Sequence, residues 1–355
     1  MTIIDATSDY ERWAARRVPL IDADLKAKHR AMRADAFSFL RATYYRWAQI
    51  WRELAADLAK MPAVLSVGDL HVENFGTWRD AEGRLVWGIN DFDEADELPF
   101  TNDLIRLSVS AVIAIEQKAL PLHDGDAVAL ILDGYREGIR SGGMPFVLEE
   151  RHRSLREIAS SRLKAAGTFW GKLVDHPASD RPPRPARRLL ERLMPPQAKP
   201  VKLIHRSAGL GSLGRRRYTA IGELSGGLVA REVKELLPPA SRWADKDRSG
   251  RILYSEMLDA AVRCPDPFLL HRGDWVGRRL SPSNRRIELE SLRKTPEMDE
   301  VLRCMGLEAA NAHLGGRNRK RLRKAVGAIR KSTLVAAVRR LRKAVARDHE
   351  DWKSG

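Results

Sequence analysis

The chain has 355 residues, 43% of them hydrophobic, enough for two domains or for one large two-lobed domain with its own core. No apolar run approaches the roughly 18 to 20 residues that span a bilayer, and the start MTIIDATSDYERWAARR lacks the basic-then-apolar order of a signal peptide, so a soluble, cytoplasmic protein is expected. Two cysteines, Cys264 and Cys304, exclude a disulfide framework and a four-thiolate zinc site, while a net charge of +16 predicts attraction to nucleic acid, phosphorylated metabolites, acidic proteins or lipid head groups.

Residues 1 to 60 read as helical, with large apolar residues at helical spacing in AFSFLRATYYRWAQIWRELAADLAK. The texture then changes. PAVLSVGDLHVENFGTW and RLVWGINDF are short apolar or β-branched runs separated by DAEG, which predicts a strand, a turn and a second strand. Asp103 opens a further helical run, DLIRLSVSAVIAIEQKAL, helical pattern continues over about 125 to 170, and 175 to 188 (DHPASDRPPRPARR) reads as a proline-rich linker. Beyond it, VKLIHRSAGLGSLGRRRYTAIGELSGGLVAREVKE predicts three strands joined by a glycine loop at 209 to 214 and an SGG turn at 225 to 227. A helix in SGRILYSEMLDAAVR, a strand pair at PFLLH and DWVGRRL, and helix over 296 to 352 complete the chain. The acid-free tail from Arg317 to Arg347 carries Leu322, Val326, Ile329, Val335, Val338, Leu341 and Val345 at three and four spacing. It is therefore expected to be amphipathic with a basic outer face, either simply solvated or a patch for nucleic acid or phosphate.

Chemistry is concentrated in one acidic cluster, Asp69, Glu73, Asp91, Asp93, Glu94, Asp96 and Glu97, inside an otherwise basic protein. Such a cluster needs arginines or a divalent metal to offset its repulsion. Asp69 and Asn74 repeat the D-x-x-x-x-N of kinase catalytic loops, in which the aspartate accepts the substrate hydroxyl proton and the asparagine ligates Mg²⁺. Asp91, after an apolar strand, is the expected second magnesium ligand, with Asp93 as the fallback. Two other matches fail. HRGDW at 271 to 275 has Arg279 where a kinase loop needs asparagine, and His71-Val-Glu73 lacks the P-C-x-x-C of zinc deaminases, leaving His71 as a structural loop histidine.

The glycines of GLGSLG, Gly209, Gly211 and Gly214, are followed by a strand pattern rather than a helix. That makes the loop a hairpin tip over phosphates, with Ser212 and the loop amides as contacts. Lys234, on the third strand, is placed to hold the α and β phosphates, and Glu256 in the following helix is its natural partner.

VGDLHVENFG, INDFDEA and DLIRL resemble the catalytic run of aminoglycoside and choline phosphotransferases within the protein-kinase-like superfamily. With FLRA at 39 to 42, NDFDEADELPFTNDLIRLSVS, GLGSLGRRRY, VKE and ANAHLGG, the chain more closely resembles the bacterial domain-of-unknown-function family 2252, over about residues 30 to 320. The resemblance implies Asp69 as base, Asn74 and Asp91 on magnesium, and Asp103 steadying the loop. Two features depart from the phosphotransferase pattern. Val67 stands where the motif has histidine, and the glycine loop and lysine follow the catalytic loop instead of preceding it.

The expected fold is therefore α+β, protein-kinase-like, two-lobed and circularly permuted, with the helix ending at ANAHLGG (310 to 316) placed just before the catalytic loop. Its parts are N-terminal helices (1–65), the catalytic-loop part of a helical lobe (66–190), a β-rich nucleotide-binding lobe (200–290) and C-terminal helices with the basic tail (291–355). The expected activity is ATP- and Mg²⁺-dependent phosphoryl transfer to a hydroxyl, with a small-molecule acceptor favoured over a protein. The alternatives are a pseudokinase that binds nucleotide or a partner without catalysis, an adenylyl-transferring enzyme, and a nucleic-acid-binding protein acting through the tail.

Overall fold

In the computed structural model, all residues are described except 161–165, 285, 288–291, 293–294 and 317–318. Helix α1 (Ile3–Ala15) opens on a capping box: Thr2 Oγ1 accepts from Asp5 N, and the Asp5 carboxylate accepts from Thr2 N, both at 3.1 Å. Helices α2 (Asp22–Ala34), α3 (Ala36–Ala42) and α4 (Tyr44–Leu54) complete the helical segment expected up to residue 60. Asp35 caps α3 by accepting from Ser38 N at 2.7 Å, and α4 buries Tyr44, Tyr45, Trp47, Ala48 and Trp51 along one face.

Strand β1 (Ala63–Ser66) leads into the first acidic loop. The strands β2 (Phe75–Arg79) and β3 (Leu85–Ile89) form the hairpin expected around DAEG, and β4 (Asp96–Pro99) returns to pair antiparallel with β1, setting Ser66 opposite Asp96. This closure brings the loops 67–74 and 90–95 side by side, where Asn90 N donates to Asn74 O at 3.0 Å. Helix α5 (Thr101–Gln117) starts two residues before Asp103 and is buried on almost every side. After it come α6 (Asp124–Ser141), a short β5 (Phe146–Val147) paired with β3, α7 (Arg153–Ser160) and α8 (Ala166–Val174). The expectation of helix over 125 to 170 thus misses β5, and its part at 161–165 lies outside the described residues.

The proline-rich linker needs correction. Helix α9 (Arg184–Leu193) begins inside it, because a proline in the first turn has no hydrogen bond to lose and a φ suited to helix. Its face of Ala186, Leu189, Leu190 and Leu193 packs on Val233 and Trp275 of the following sheet. That sheet comprises β6 (Lys199–His205), β7 (Arg217–Leu224), β8 (Gly227–Glu235), β9 (Leu270–Arg272) and β10 (Trp275–Leu280). All its pairs are antiparallel, in the order β6-β7-β8-β10-β9. The helix α10 (Ala240–Ala244), which the sequence pattern did not predict, and α11 (Tyr254–Ala260), shorter than predicted, connect β8 to β9.

Helix α12 (Thr295–His313) lies against α6 at a crossing that needs glycine. A Cβ at Gly134 would collide with the backbone of Arg303, and one at Gly306 with that of Ile131. The basic tail forms two helices rather than one, α13 (Arg319–Ala328) and α14 (Lys331–Ser354), broken at Ile329–Arg330; residues 317–318 lie outside the described residues. The predicted apolar stripe is buried except for Val335, which is partly so, and α14 packs along the amino-terminal helices and α5. One apolar cluster runs from Ile3 to Trp352, while the two faces of the five-stranded sheet carry smaller clusters of their own. The fold is thus mixed α and β. No helix among the described residues is long and apolar enough to cross a membrane.

Candidate active site

The backbone of GDLHVENFG is held from below by a buried carboxylate. Asp103 accepts from Val67 N at 2.7 Å, from Gly68 N at 3.0 Å and from Asn102 Nδ2 at 2.9 Å. His313, the last residue of α12, places Nε2 at 2.9 Å from Asp103 Oδ2 and Nδ1 at 2.8 Å from the Tyr135 hydroxyl, and both its side chain and that of Asp103 are fully buried. The carboxylate fixes the proton on Nε2, so the tyrosine O–H donates to Nδ1. The histidine that contacts the loop's carboxylate support thus comes from ANAHLGG, 246 positions after Val67 in the chain. Gly68 turns the loop at φ +84°, with the Glu94 carbonyl where a Cβ would stand.

Asp69, Asn74, Asp91 and Asp93 line one cavity, together with Gly209, Gly211 and Ser212. Arg106 donates from Nε at 3.0 Å and Nη2 at 2.7 Å to Asp69 Oδ1. Asp69 Oδ2 faces the glycine loop, since a Cβ on Gly211 would lie 3.6 Å from it. Burial raises the Asp69 carboxyl above its ordinary value, against the opposing pull of Arg106. Asn74 is oriented with Oδ1 accepting from His71 N at 2.8 Å, and His71 Nδ1 accepts from Glu73 N at 3.2 Å, the structural role expected of that histidine. Burial, with Arg41 and Arg106 nearby, pushes the imidazole well below its usual range, so it is neutral.

Lys234 does not point at free space. Its Nζ lies 2.6 Å from Asp93 Oδ1 and 3.3 Å from Asp91 Oδ1. Burial alone would raise the Asp91 carboxyl, yet Lys234, the Asp93 contact, Arg278 and Arg217 together hold it below the usual carboxylate range. Asp93 moves the other way, raised by burial and by the charge of Asp91. The pair shares one ammonium, which suits one ionised carboxylate better than two.

Two expectations for the β segment need correction. Glu256 is not the partner of Lys234: its side chain is half exposed, 3.6 Å from Arg251, because α11 turns that position to the surface. Gly214 does not line the cavity either. It packs on Leu25 with φ +98° and accepts from Ile21 N, fastening the loop to α2. The loop does form the tip between β6 and β7 as expected, and within it Ser212 Oγ donates to Gly209 O at 3.1 Å and accepts from Arg217 at 2.9 Å.

Residues 18–168 match the family described as an uncharacterized protein conserved in bacteria (DUF2252). No curated protein and no solved structure matches the chain. The DUF2252 segment contains Asp69, Asn74, Asp91, Asp93, Asp103 and Arg106, whereas the glycine loop, Lys234 and His313 lie beyond it.

Several residues around this acidic loop carried no spacing signal. Arg41 and Arg286 pair with Glu73 at 2.7 and 3.2 Å, and Arg215 sits 3.3 Å from Glu94 and 3.7 Å from Asp93. With Arg106 on Asp69 and Arg242 at 2.6 Å from Asp96, these arginines offset the acidic cluster. Tyr10, Tyr44 and Tyr45 complete the wall, and the buried Tyr44 hydroxyl has no hydrogen-bond partner among the described residues. Arg106 was legible in principle, three residues after Asp103 on the same helical face.

Among the described residues no group of three or more His, Cys, Asp or Glu is arranged to hold a metal ion. Magnesium needs few protein ligands when phosphates supply the rest. Asp91 fits that requirement: its side chain is 33% exposed, and Lys234 and Asp93 N approach it at Oδ1, at 3.3 and 3.4 Å. Asn74 and Asp93 fit less freely, being occupied by His71 N and by Lys234.

Proposed function

We propose that the chain is an ATP- and Mg²⁺-dependent phosphotransferase of kinase-like, circularly permuted architecture, acting on a hydroxyl of a small molecule. One observation supports this reading above the others: the loop at 209–212 closes over Asp69 while Lys234 reaches Asp91 and Asp93, across more than 130 residues of chain. Proximity in space is what the chemistry requires, irrespective of chain order.

In this reading Asp69, oriented through Oδ1 by Arg106, takes the acceptor's proton on Oδ2, the oxygen turned toward the glycine loop. Burial keeps Asp69 a stronger base than an exposed carboxylate. Magnesium held by Asp91, with Asn74 and Asp93 as further ligands, would neutralise charge on the transferring phosphate. Lys234 exchanges its carboxylate partners for phosphate oxygens when the donor binds, and the amides of the 209–212 loop cap the same phosphates.

A second reading, nucleotide binding without transfer, is favoured by the close Lys234–Asp93 pair, which occupies the lysine in the absence of any ligand. Thermal unfolding with ATP, with and without Mg²⁺, followed by assay of the γ-phosphate of labelled ATP, separates the readings. A magnesium-dependent rise in midpoint together with transfer supports the enzyme; a rise without transfer of either γ-phosphate or nucleotide supports the binding module. No rise with ATP and Mg²⁺ removes both.

A further inference from the structure

A second cavity opens on the other side of Asp91 and Gly209, between the β2–β3 hairpin and the five-stranded sheet, and it is basic. Its volume is about 200 Å³, against about 50 Å³ for the acid-lined one. Glu232, with a fully buried side chain, holds Arg206 at 2.8 Å, Arg217 at 2.7 Å and Arg278 at 2.7 Å. One carboxylate cannot offset three guanidiniums. Arg263, Arg279 and Arg286 also line the cavity, with Asp91 and Asp266 as the lining carboxylates, so a strong excess of positive charge remains in a largely desolvated space.

Four donors here are unspent. Arg263 Nε and Nη1, Arg279 Nε and the indole Nε1 of Trp78 are buried without a hydrogen-bond partner among the described residues. Buried donors left unpaired are costly, and planar guanidiniums held in place suit bidentate recognition of phosphate oxygens. Arg263 is fixed by stacking, with its guanidinium 4.8 Å from the Trp78 ring centroid and 5.1 Å from that of Phe92. Arg279 lies 4.4 Å over Phe268.

We propose that this cavity is a polyphosphate-binding site, in which Arg278, Arg263 and Arg279 take the phosphate chain of the donor nucleotide and Glu232 holds Arg278 in place. The inference rests on the phosphotransferase reading for the identity of the anion as a donor's phosphate chain. The donor then enters from the arginine side and the acceptor from the acid- and tyrosine-lined side, with Asp91 in the wall common to both.

Inorganic tripolyphosphate, titrated calorimetrically into the full chain without Mg²⁺, tests the site. Saturable binding is expected for wild type and for Asp69→Asn. Affinity is expected to fall by about tenfold or more in Arg278→Gln and in Arg263→Gln, each removing a charge-assisted contact. Arg263→Gln leaves the three ion pairs of Glu232 intact, so it guards against loss of folding in Arg278→Gln, and the unliganded unfolding midpoint is measured for both. Unchanged affinity in folded Arg263→Gln and Arg278→Gln overturns the site, as does absence of saturable binding or a loss seen only when Arg339, Arg340 and Lys343 of the tail are replaced by Gln. Binding as expected without phosphoryl transfer from ATP sinks the phosphotransferase reading and leaves the site standing. Transfer with unchanged tripolyphosphate affinity in the variants does the reverse.

Discussion

His313 Nε2 and Asp103 Oδ2 are 2.9 Å apart, joining the end of α12 to the start of α5 directly beneath the acidic loop. Neither side chain is exposed, so removing one leaves the other short of a partner in a dry environment. His313→Ala is expected to destabilise the fold by about 2 kcal/mol in urea unfolding, and to speed amide exchange at Val67 and Gly68 more than in α14. A stability loss with equal exchange everywhere would show that His313 does not act through the loop.

Arg106 opposes the effect of burial on Asp69. Arg106→Gln should therefore raise the Asp69 carboxyl further, moving the acid limb of the transfer rate to higher pH. Asp69→Asn should abolish transfer and leave nucleotide binding in place. A pH–rate profile that does not move in Arg106→Gln would mean that Asp69 is not the titrating base.

Lys234→Met leaves Asp91 and Asp93 facing each other without their ammonium. Breaking such a pair from one side costs about 3 to 5 kcal/mol in buried cases, and less here because Asp91 is partly exposed. Both carboxyls then rise, so the variant's deficit relative to wild type should grow as pH rises and shrink as pH falls. Mg²⁺ alone should raise the unfolding midpoint of Lys234→Met more than that of wild type, because the freed carboxylates accept it. Equal magnesium response in both proteins would argue against this pair as the metal position.

Glu308 on α12 is buried between Ile89 N at 3.1 Å and Asn311 Nδ2 at 2.8 Å, and burial raises its carboxyl to about 7. A carboxyl raised on folding contributes stability that is fully present below its unfolded value of 4.5 and lost as pH rises through about 7. Wild type is thus expected to lose stability across that window relative to Glu308→Gln, by at most about 3 kcal/mol. Parallel curves for the two proteins between pH 4.5 and 7 would exclude Glu308 as the source.

Much of the local structure was legible because it rests on local physics. The hairpin around DAEG, the turn after Leu224 and the helical faces of α4 and α14 follow from side-chain period and turn chemistry, which a short window contains. The α9 helix was missed because proline reads as a breaker unless its place in the first turn is known. Glu256 was misplaced for a related reason: helical pattern says that a helix is present, not which face a short helix turns to its neighbours.

The acidic loop itself was visible in the sequence, since Asp69, Asn74 and Asp91 lie within 23 residues and their spacing is tied to one hairpin. What surrounds it was not. Arg41, Arg215 and Arg286 neutralise the cluster, His313 braces it, and the arginines on Glu232 build the second cavity, all from segments whose mutual distance depends on how α12 packs on α6 and how the sheet packs on the hairpin. Residue type and spacing determined which groups carry charge and where the chain turns. Only tertiary packing decided which charges meet, because ion pairs and buried donors depend on separations of a few ångströms between segments that sequence order leaves unconstrained.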